Sequence, residues 1–333
     1  MTQFLDDCYR AIRVQTTSIP ETIRAVKDDN LLPISGKRFI FLVGCGDSYA
    51  VAEYGRWAFL TVGFDAASLS PPELQRVPLH PDSVIVGVSA SGRSLVTIEA
   101  LESAKSLGAT TVALTDNPNG RAAQSAGIVW QTRSGVDSYN ISPSATTTTA
   151  LAYLLAITAR IPSAVQDKLE HDCHILESKG EDVIRWSERQ GIAISKLAEP
   201  GSLLYLISDG PNYVAAEIGM MKLDEFSVVK GVAALKEEFQ HHYNLSIGKN
   251  ERAVLILDDP ISSNDESFLM ILKSKLEMKV YPLHTETLGL LTPLAQAIPN
   301  AIALQMASHY VVQRYDPNKR GFKQPHADAF KIY

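Results

Sequence analysis

Five residues recur at one constant offset along this chain. Gly46, Tyr49, Ala52, Glu53 and Gly55 return 164 residues later as Gly210, Tyr213, Ala216, Glu217 and Gly219. Each set follows an apolar run that ends in glycine, Ile40-Phe41-Leu42-Val43-Gly44-Cys45-Gly46 in one case and Leu203-Leu204-Tyr205-Leu206-Ile207-Ser208-Asp209-Gly210 in the other. A strand, a glycine turn and a helix therefore open each half, and a period this long is domain-sized rather than that of a solenoid. Both halves continue in strand–helix alternation. In the first, strands over 84–88 and 111–114 flank a helix over 95–107; in the second, strands over 253–257 and 278–281 flank a helix over 266–276. Apolar strands joined by helices predict a parallel sheet covered on both faces. The expected fold is α/β, with two doubly wound parallel-sheet subdomains related by duplication. The first spans 1–190 and the second 191–333, with the boundary in the helical region 164–197 near Glu199-Pro200-Gly201.

Charge and cysteine usage narrow the function classes. The net charge is −6 and no Lys/Arg cluster interrupts it, which argues against a nucleic-acid partner. The longest apolar stretch, 150–157, is too short to span a bilayer. The N-terminus is acidic and lacks a signal-peptide layout. Three cysteines, Cys8, Cys45 and Cys173, form no Cys-x-x-Cys pair, so a reduced, cytoplasmic protein is expected. His171-Asp172-Cys173-His174 could supply metal ligands, but no second ligand cluster lies nearby. A solvated helix face is the plainer reading, and no metal is expected.

The two halves differ after the strand that follows the repeat. In the first, Val84-Ile85-Val86-Gly87-Val88 runs into Ser89-Ala90-Ser91-Gly92-Arg93-Ser94 and then a helix. The unpaired amides of a first helical turn and the helix dipole favour an anion there, and serine hydroxyls add donors. No Gly-Lys-Ser/Thr follows, so this is not a Walker loop, and the dinucleotide Gly-x-Gly-x-x-Gly spacing is missing. The plain alternative is a serine-rich turn that only caps its helix. In the second half the equivalent strand runs into Asp258-Asp259-Pro260, where two carboxylates cannot cradle a phosphate.

The Gly44-Cys45-Gly46-Asp47-Ser48-Tyr49 turn and the Ser89-x-Ser91-Gly92-x-Ser94 loop together resemble the SIS (sugar isomerase) family, whose domains bind phosphorylated sugars on doubly wound, flavodoxin-like sheets. A tandem pair in this length resembles the isomerase half of the glucosamine–fructose-6-phosphate aminotransferases. It equally resembles the related glucosamine-6-phosphate deaminases and fructosamine-6-phosphate deglycases. The aminotransferases carry a large glutaminase domain for which 333 residues leave no room, so none is expected. The resemblance implies substrate binding by Gly46, Ser48, Ser89, Ser91 and Ser94. Ala90 stands where the family often has glutamine, and Asp47 where it has threonine. The segment Asn140-Ile141-Ser142-Pro143-Ser144, followed by four threonines, resembles the stretch that closes over the sugar, which makes Ser142 and Ser144 further binding candidates. Thr146, Thr147, Thr148 and Thr149 read as a helix N-terminal capping run.

In the second half, the residues from Tyr213 to Glu225 resemble the motif Tyr-x-x-x-x-Glu-Gly-x-x-Lys-x-Lys-Glu. Gly219, Lys222 and Glu225 fall on its positions, and Ile218 replaces its earlier glutamate. Glu237-Glu238-Phe239-Gln240-His241-His242 resembles Gly-Glu-Leu-Lys-His-Gly. The implied catalytic residues are Glu225, His241 and, in the C-terminal tail, Lys331, with His242 as a register alternative to His241. Each has a plain reading too: Glu225 as a solvated helix end, the histidines as surface residues, Lys331 as a tail residue.

These residues suit one chemistry. Ring opening of a sugar phosphate needs an acid/base such as histidine. Moving a proton between C1 and C2 needs a carboxylate, whose basicity burial raises. A lysine can form a Schiff base or steady an enolate. No cofactor is required. The function expected from the resemblance is a sugar-phosphate aldose–ketose isomerase coupled to C–N cleavage, as an aminosugar-6-phosphate deaminase or a fructosamine-6-phosphate deglycase. Its partners are a phosphorylated sugar or aminosugar, with no nucleic acid and no membrane. A homodimer is expected, in which, as the resemblance implies, the loop 230–242 carries His241 to the neighbouring subunit's site. The alternative from another class is a non-catalytic sugar-phosphate-binding regulatory protein.

Overall fold

Apolar strands alternate with helices within each sheet region. The computed structural model describes residues 2–37, 39–137, 141–142, 145–322 and 329–332. The described residues cluster into two compact units that interleave along the sequence. One takes its residues from within 17–140, 145–178 and 323–333; the other takes them from within 1–16, 141–144 and 179–322. Helix α1 (Gln3–Arg13) thus belongs with the second sheet, while most of α2 (Gln15–Ala25) belongs with the first.

The first unit holds a five-stranded sheet. Its elements are β1 (Phe39–Val43), α3 (Asp47–Thr61), β2 (Asp65–Leu69), α4 (Pro71–Leu74), β3 (Ser83–Val88), α5 (Leu95–Ser106), β4 (Thr110–Thr115), α6 (Arg121–Ser125), β5 (Ile128–Gln131), α7 (Thr146–Thr158) and α8 (Gln166–Ser178). All strand pairs are parallel and the order is β2-β1-β3-β4-β5. Both faces are covered, which is why β3 is buried along its whole length. Ile85, Ile98, Leu101 and Ala122 share the core on one face. On the other face α3 lies so close to β1 that a Cβ on Gly55 would come 2.3 Å from Leu42.

The second unit holds a four-stranded parallel sheet in the order β7-β6-β8-β9. Its elements after α1 are α9 (Gly180–Leu197), β6 (Leu203–Ser208), α10 (Gly210–Phe226), β7 (Lys230–Leu235), α11 (Lys236–His241), β8 (Arg252–Ile256), α12 (Ser263–Ser274), β9 (Lys279–Leu283) and the 23-residue α13 (Pro293–Tyr315). The repeat's close approach recurs here, since a Cβ on Gly219 of α10 would come 2.9 Å from Leu206 of β6 and 2.6 Å from Leu304 of α13. Leu206 follows Leu42 by the same 164 residues, so the duplicated glycine serves the same helix–strand contact in each copy. Two expectations are corrected. The stretch 230–242 is not a loop but a strand, paired with β6 in register, followed by a short helix. Asp172 and Cys173, assigned to a solvated helix face, are buried, and burial pushes the Cys173 thiol up to about 12.

Candidate functional site

In a parallel sheet the crevice for a ligand opens where the strand order reverses, at the carboxyl ends of the strands. In the five-stranded sheet that point lies between β1 and β3. The turn after β1 carries Gly46, at φ +57°, and Ser48, whose amide donates to the Cys45 carbonyl at 3.1 Å. The loop after β3 carries Ser89, Ser91 and Ser94. Burial raises the pKa of the Cys45 thiol, and the nearby side chains of Ser94 and Thr97 oppose that rise, so the two turns lie close together.

The serine loop is held by the segment after β4. Thr115 Oγ1 and the Asp116 amide donate to the Ala90 carbonyl at 3.2 and 3.1 Å. Asn117 Nδ2 donates to the Ser91 carbonyl at 3.3 Å, and the Ala122 amide to the Gly92 carbonyl at 3.0 Å. Gly92 sits at φ +69°, a conformation that favours glycine. The loop's carbonyls are thus tied back, and no described residue takes up the Ser89 and Ser91 hydroxyls. Ser94 caps α5 by position, without a side-chain cap bond, and its Oγ accepts from Thr97 Oγ1 at 3.0 Å. The Leu95 amide, first in the helix, donates to the Ile332 carbonyl at 3.3 Å. That bond brings the described tail, with the exposed Lys331, to the end of the serine loop.

Asp47 and the threonines fill the neighbouring wall. Thr147 Oγ1 donates to Asp47 Oδ2 at 2.8 Å. Thr148 and Thr149 turn back to the Ala145 carbonyl, at 3.1 and 2.9 Å. The four threonines are buried and Ala145 is the N-cap, so the run starts the helix without capping it through a side chain.

The second cluster lies within the four-stranded unit, at the C-terminal end of α10. Lys222 is 3% exposed, and its Nζ donates to Glu225 Oε2 at 2.9 Å and to Ser142 Oγ at 3.2 Å. Ser142 Oγ donates in turn to Glu225 Oε2 at 3.1 Å. The Lys222 carbonyl accepts from Ser308 of α13 at 2.9 Å, which fixes that turn of α10. Glu225 is 41% exposed rather than buried. The sequence motif contained Lys222, yet its role as partner to Glu225 shows only in three dimensions. The rest of the unit leaves His241 apart from this cluster: its ring is 72% exposed and its Nε2 meets Glu237 Oε1 at 2.9 Å. His242 pairs with Glu238 at 3.5 Å and packs against Tyr243. Ser144 lies outside the described residues. Among the described residues no group of three His, Cys, Asp or Glu side chains could hold a metal ion.

Residues 34–160 match the SIS domain family. The chain is 25% identical over 253 residues to a glutamine–fructose-6-phosphate aminotransferase of Aquifex aeolicus, covering 74% of this chain and 42% of that protein. It is 52% identical over 60 residues to an N-acetylmuramic acid 6-phosphate etherase of Actinobacillus pleuropneumoniae, covering 18% of this chain and 20% of that one. The chain therefore spans less than half the length of the curated relatives it matches. In fold it resembles the C-terminal domain of a glucosamine-fructose-6-phosphate aminotransferase from Francisella tularensis, with a TM-score of 0.77, 18% identity and coverage of 93% and 95% of the two chains. It also resembles a glucosamine-6-phosphate deaminase from Thermotoga maritima, with a TM-score of 0.77, 16% identity and coverage of 96% and 98%.

Proposed function

We propose that this chain, which carries a SIS domain, moves a proton between C1 and C2 of a phosphorylated sugar and releases an amine as it does so. The observation that carries this reading is the carboxylate of Glu225 held 2.9 Å from the buried Lys222 ammonium. Anion binding accounts for the serine loop alone; a carboxylate fixed by a buried cation and left open on its other oxygen is equipment for proton transfer. The serine loop anchors the phosphate and so positions the reacting carbons. Once an aminosugar phosphate is opened to its aldehyde, Glu225 takes the C2 proton and a proton is returned at C1. Water then hydrolyses the resulting C2 imine to a ketose and ammonia. A fructosamine phosphate follows the reverse shift and releases its amine from C1. His241 serves ring opening, and Lys331 steadies the enolate or imine.

The relatives named for fructose-6-phosphate and glucosamine-6-phosphate support the choice of ligand. We also take the working form to be a homodimer in which the exposed His241 serves the site of the neighbouring subunit. The 52% identical segment shared with the etherases favours one second reading, in which the same C2 proton abstraction expels an ether oxygen from the adjacent carbon. The test incubates the protein with glucosamine-6-phosphate, fructose-6-phosphate, fructosamine-6-phosphates and N-acetylmuramic acid 6-phosphate, following ammonia, free amine, lactate and hexose phosphate. Ammonia or amine release is the expected result, lactate release selects the etherase reading, and no product from any of them removes the enzyme.

A further inference from the structure

We infer that Ser142 is a positioning residue for Glu225, held in place by Cys8, and not a ligand of the sugar phosphate. The inference rests on the reading of Glu225 as the proton-transfer group. The argument is a count of protons and lone pairs. A serine hydroxyl has one proton to give. Here that proton goes to Glu225 Oε2, and one Oγ lone pair takes a Lys222 proton. Ser142 is 7% exposed, so its hydroxyl has neither a donor left nor an open face for a substrate oxygen.

Both bonds into Glu225 arrive at the same oxygen. Lys222 Nζ and Ser142 Oγ each meet Oε2, and among the described residues none donates to Oε1. Two donors on one oxygen pin the carboxylate's last torsion, which is otherwise broad. The pair therefore makes the two oxygens unequal, with Oε2 the anchored atom and Oε1 the atom that meets the carbon-bound proton.

Ser142 must itself be held, because it lies in no helix or strand. The Cys8 thiol of α1 donates to its carbonyl at 3.5 Å. Burial pushes the Cys8 thiol up to about 12, so the proton that makes this bond stays on sulfur at neutral pH. Cys8 sits with Leu5, Phe226 and Val312 in a small buried cluster against which Ile141 packs. The N-terminal helix, the 141–142 segment and the end of α10 thus form one support around the carboxylate.

The test separates positioning from ligand binding. Ser142→Ala and Ser142→Thr are made in the full chain labelled with 13C at the glutamate carboxyl, with Glu225→Gln to assign the resonance. The Ala variant moves the Glu225 carboxyl resonance and the Thr variant, which keeps the hydroxyl, restores it. On any substrate the protein turns over, Ser142→Ala lowers kcat about tenfold, as loss of one bond to a charged group would, with KM unchanged and Thr restoring the rate. Cys8→Ala moves the same resonance in the same direction by less. An unmoved resonance overturns the inference, as does a tenfold weaker calorimetric affinity for glucosamine-6-phosphate in Ser142→Ala with kcat unchanged. If the native protein binds none of the sugar phosphates, the proposed function fails, and the resonance alone still decides whether Ser142 positions Glu225.

Discussion

The two sheets offer the same crevice and use it in opposite ways. Between β1 and β3 the turn has glycine and serine, and hydroxyls are left open to a ligand. Between β6 and β8 the corresponding space is occupied by the protein's own side chains. Asn300 donates to Asn212 at 2.9 Å, and Asn212 to Asp258 at 2.7 Å. Lys236 bridges Asp209 at 3.2 Å and Asp265 at 2.6 Å. A duplicated fold therefore does not imply a duplicated site. The opposite ends of the equivalent helices tell the same story. Counting back 164 residues from Lys222 and Glu225 reaches Ala58 and Thr61, so the first copy has no lysine–glutamate ion pair where the second has one. On the proposed reading, the first copy seats the anion and the second carries the proton-transfer group.

If that division holds, the largest effect comes from Glu225. Glu225→Gln keeps the shape and removes the base, so turnover falls about 10²–10⁴-fold while sugar-phosphate binding, measured by calorimetry, is retained. Near-normal turnover in this variant would break the comparison outright. Mixing Glu225→Gln with His241→Ala under subunit exchange sharpens it. Activity returns if the two residues serve different subunits' sites, because one site of each mixed dimer is then intact. No recovery in verified heterodimers rejects the trans role of His241.

Next in size is the serine loop. Ser89→Ala or Ser91→Ala weakens sugar-phosphate binding by about tenfold or more, since bonds to charged groups are worth roughly 1.5–3 kcal/mol. Equal affinity for a sugar and its phosphate would remove the anion seat from the first copy.

How much of this division was legible beforehand depends on range. The strands read from apolar runs lie within a residue or two of β1, β3, β4, β6, β8 and β9, because a strand buried on both faces announces itself locally. The strand β7 did not: Gly231, Ala233 and Ala234 have little strand preference, and pairing with β6 decides them. The serine loop was readable for the same local reason as the strands. What holds it was not, since Thr115 and Asn117 lie about 25 residues on, in an unremarked turn. Ser142 was read as facing the sugar, yet its bonds go to α10, 83 residues away. No pattern in one sequence reveals a bond of that span. The assignment of α1 to the second sheet is hidden for the same reason.

A smaller effect belongs to the four-stranded unit alone. His309 of α13 is 1% exposed, stacks on Phe226, and has no described partner at Nδ1. Burial lowers it to about 4, against the weaker pull of Asp6 and Glu188. The unfolded chain binds a proton near pH 6.5 that the folded chain refuses until about pH 4. Stability thus falls as pH drops through that window, by up to about 1.4 kcal/mol per pH unit. Denaturant titrations at pH 7, 6 and 5 should show the loss, and His309→Phe should flatten it. An equally steep loss in His309→Phe would assign the acid sensitivity to other groups.

The smallest expected effect tests whether the second crevice is truly filled. Lys236 is 17% exposed, its amide donates to Asp209 Oδ1 at 3.1 Å, and its ammonium is shared between Asp209 and Asp265. The two carboxylates hold its pKa above the ordinary lysine value despite burial. Removing the ammonium in Lys236→Met unpairs both carboxylates, but Asp209 is half exposed and Asp265 keeps its bonds to Ser262. The net cost to stability is therefore about 1 kcal/mol, read as a shift in the denaturant midpoint. Phosphate affinity should not change, because the lysine serves the fold and not an anion. Were Lys236→Met to weaken sugar-phosphate binding instead, its ammonium would be a ligand group, and the second copy would have kept an anion seat after all. A Lys236→Met/Asp265→Asn pair distinguishes the two cases. If the lysine only balances Asp265, neutralising that carboxylate recovers part of the lost stability; if the lysine holds an anion, the added change leaves the weakened binding as it was.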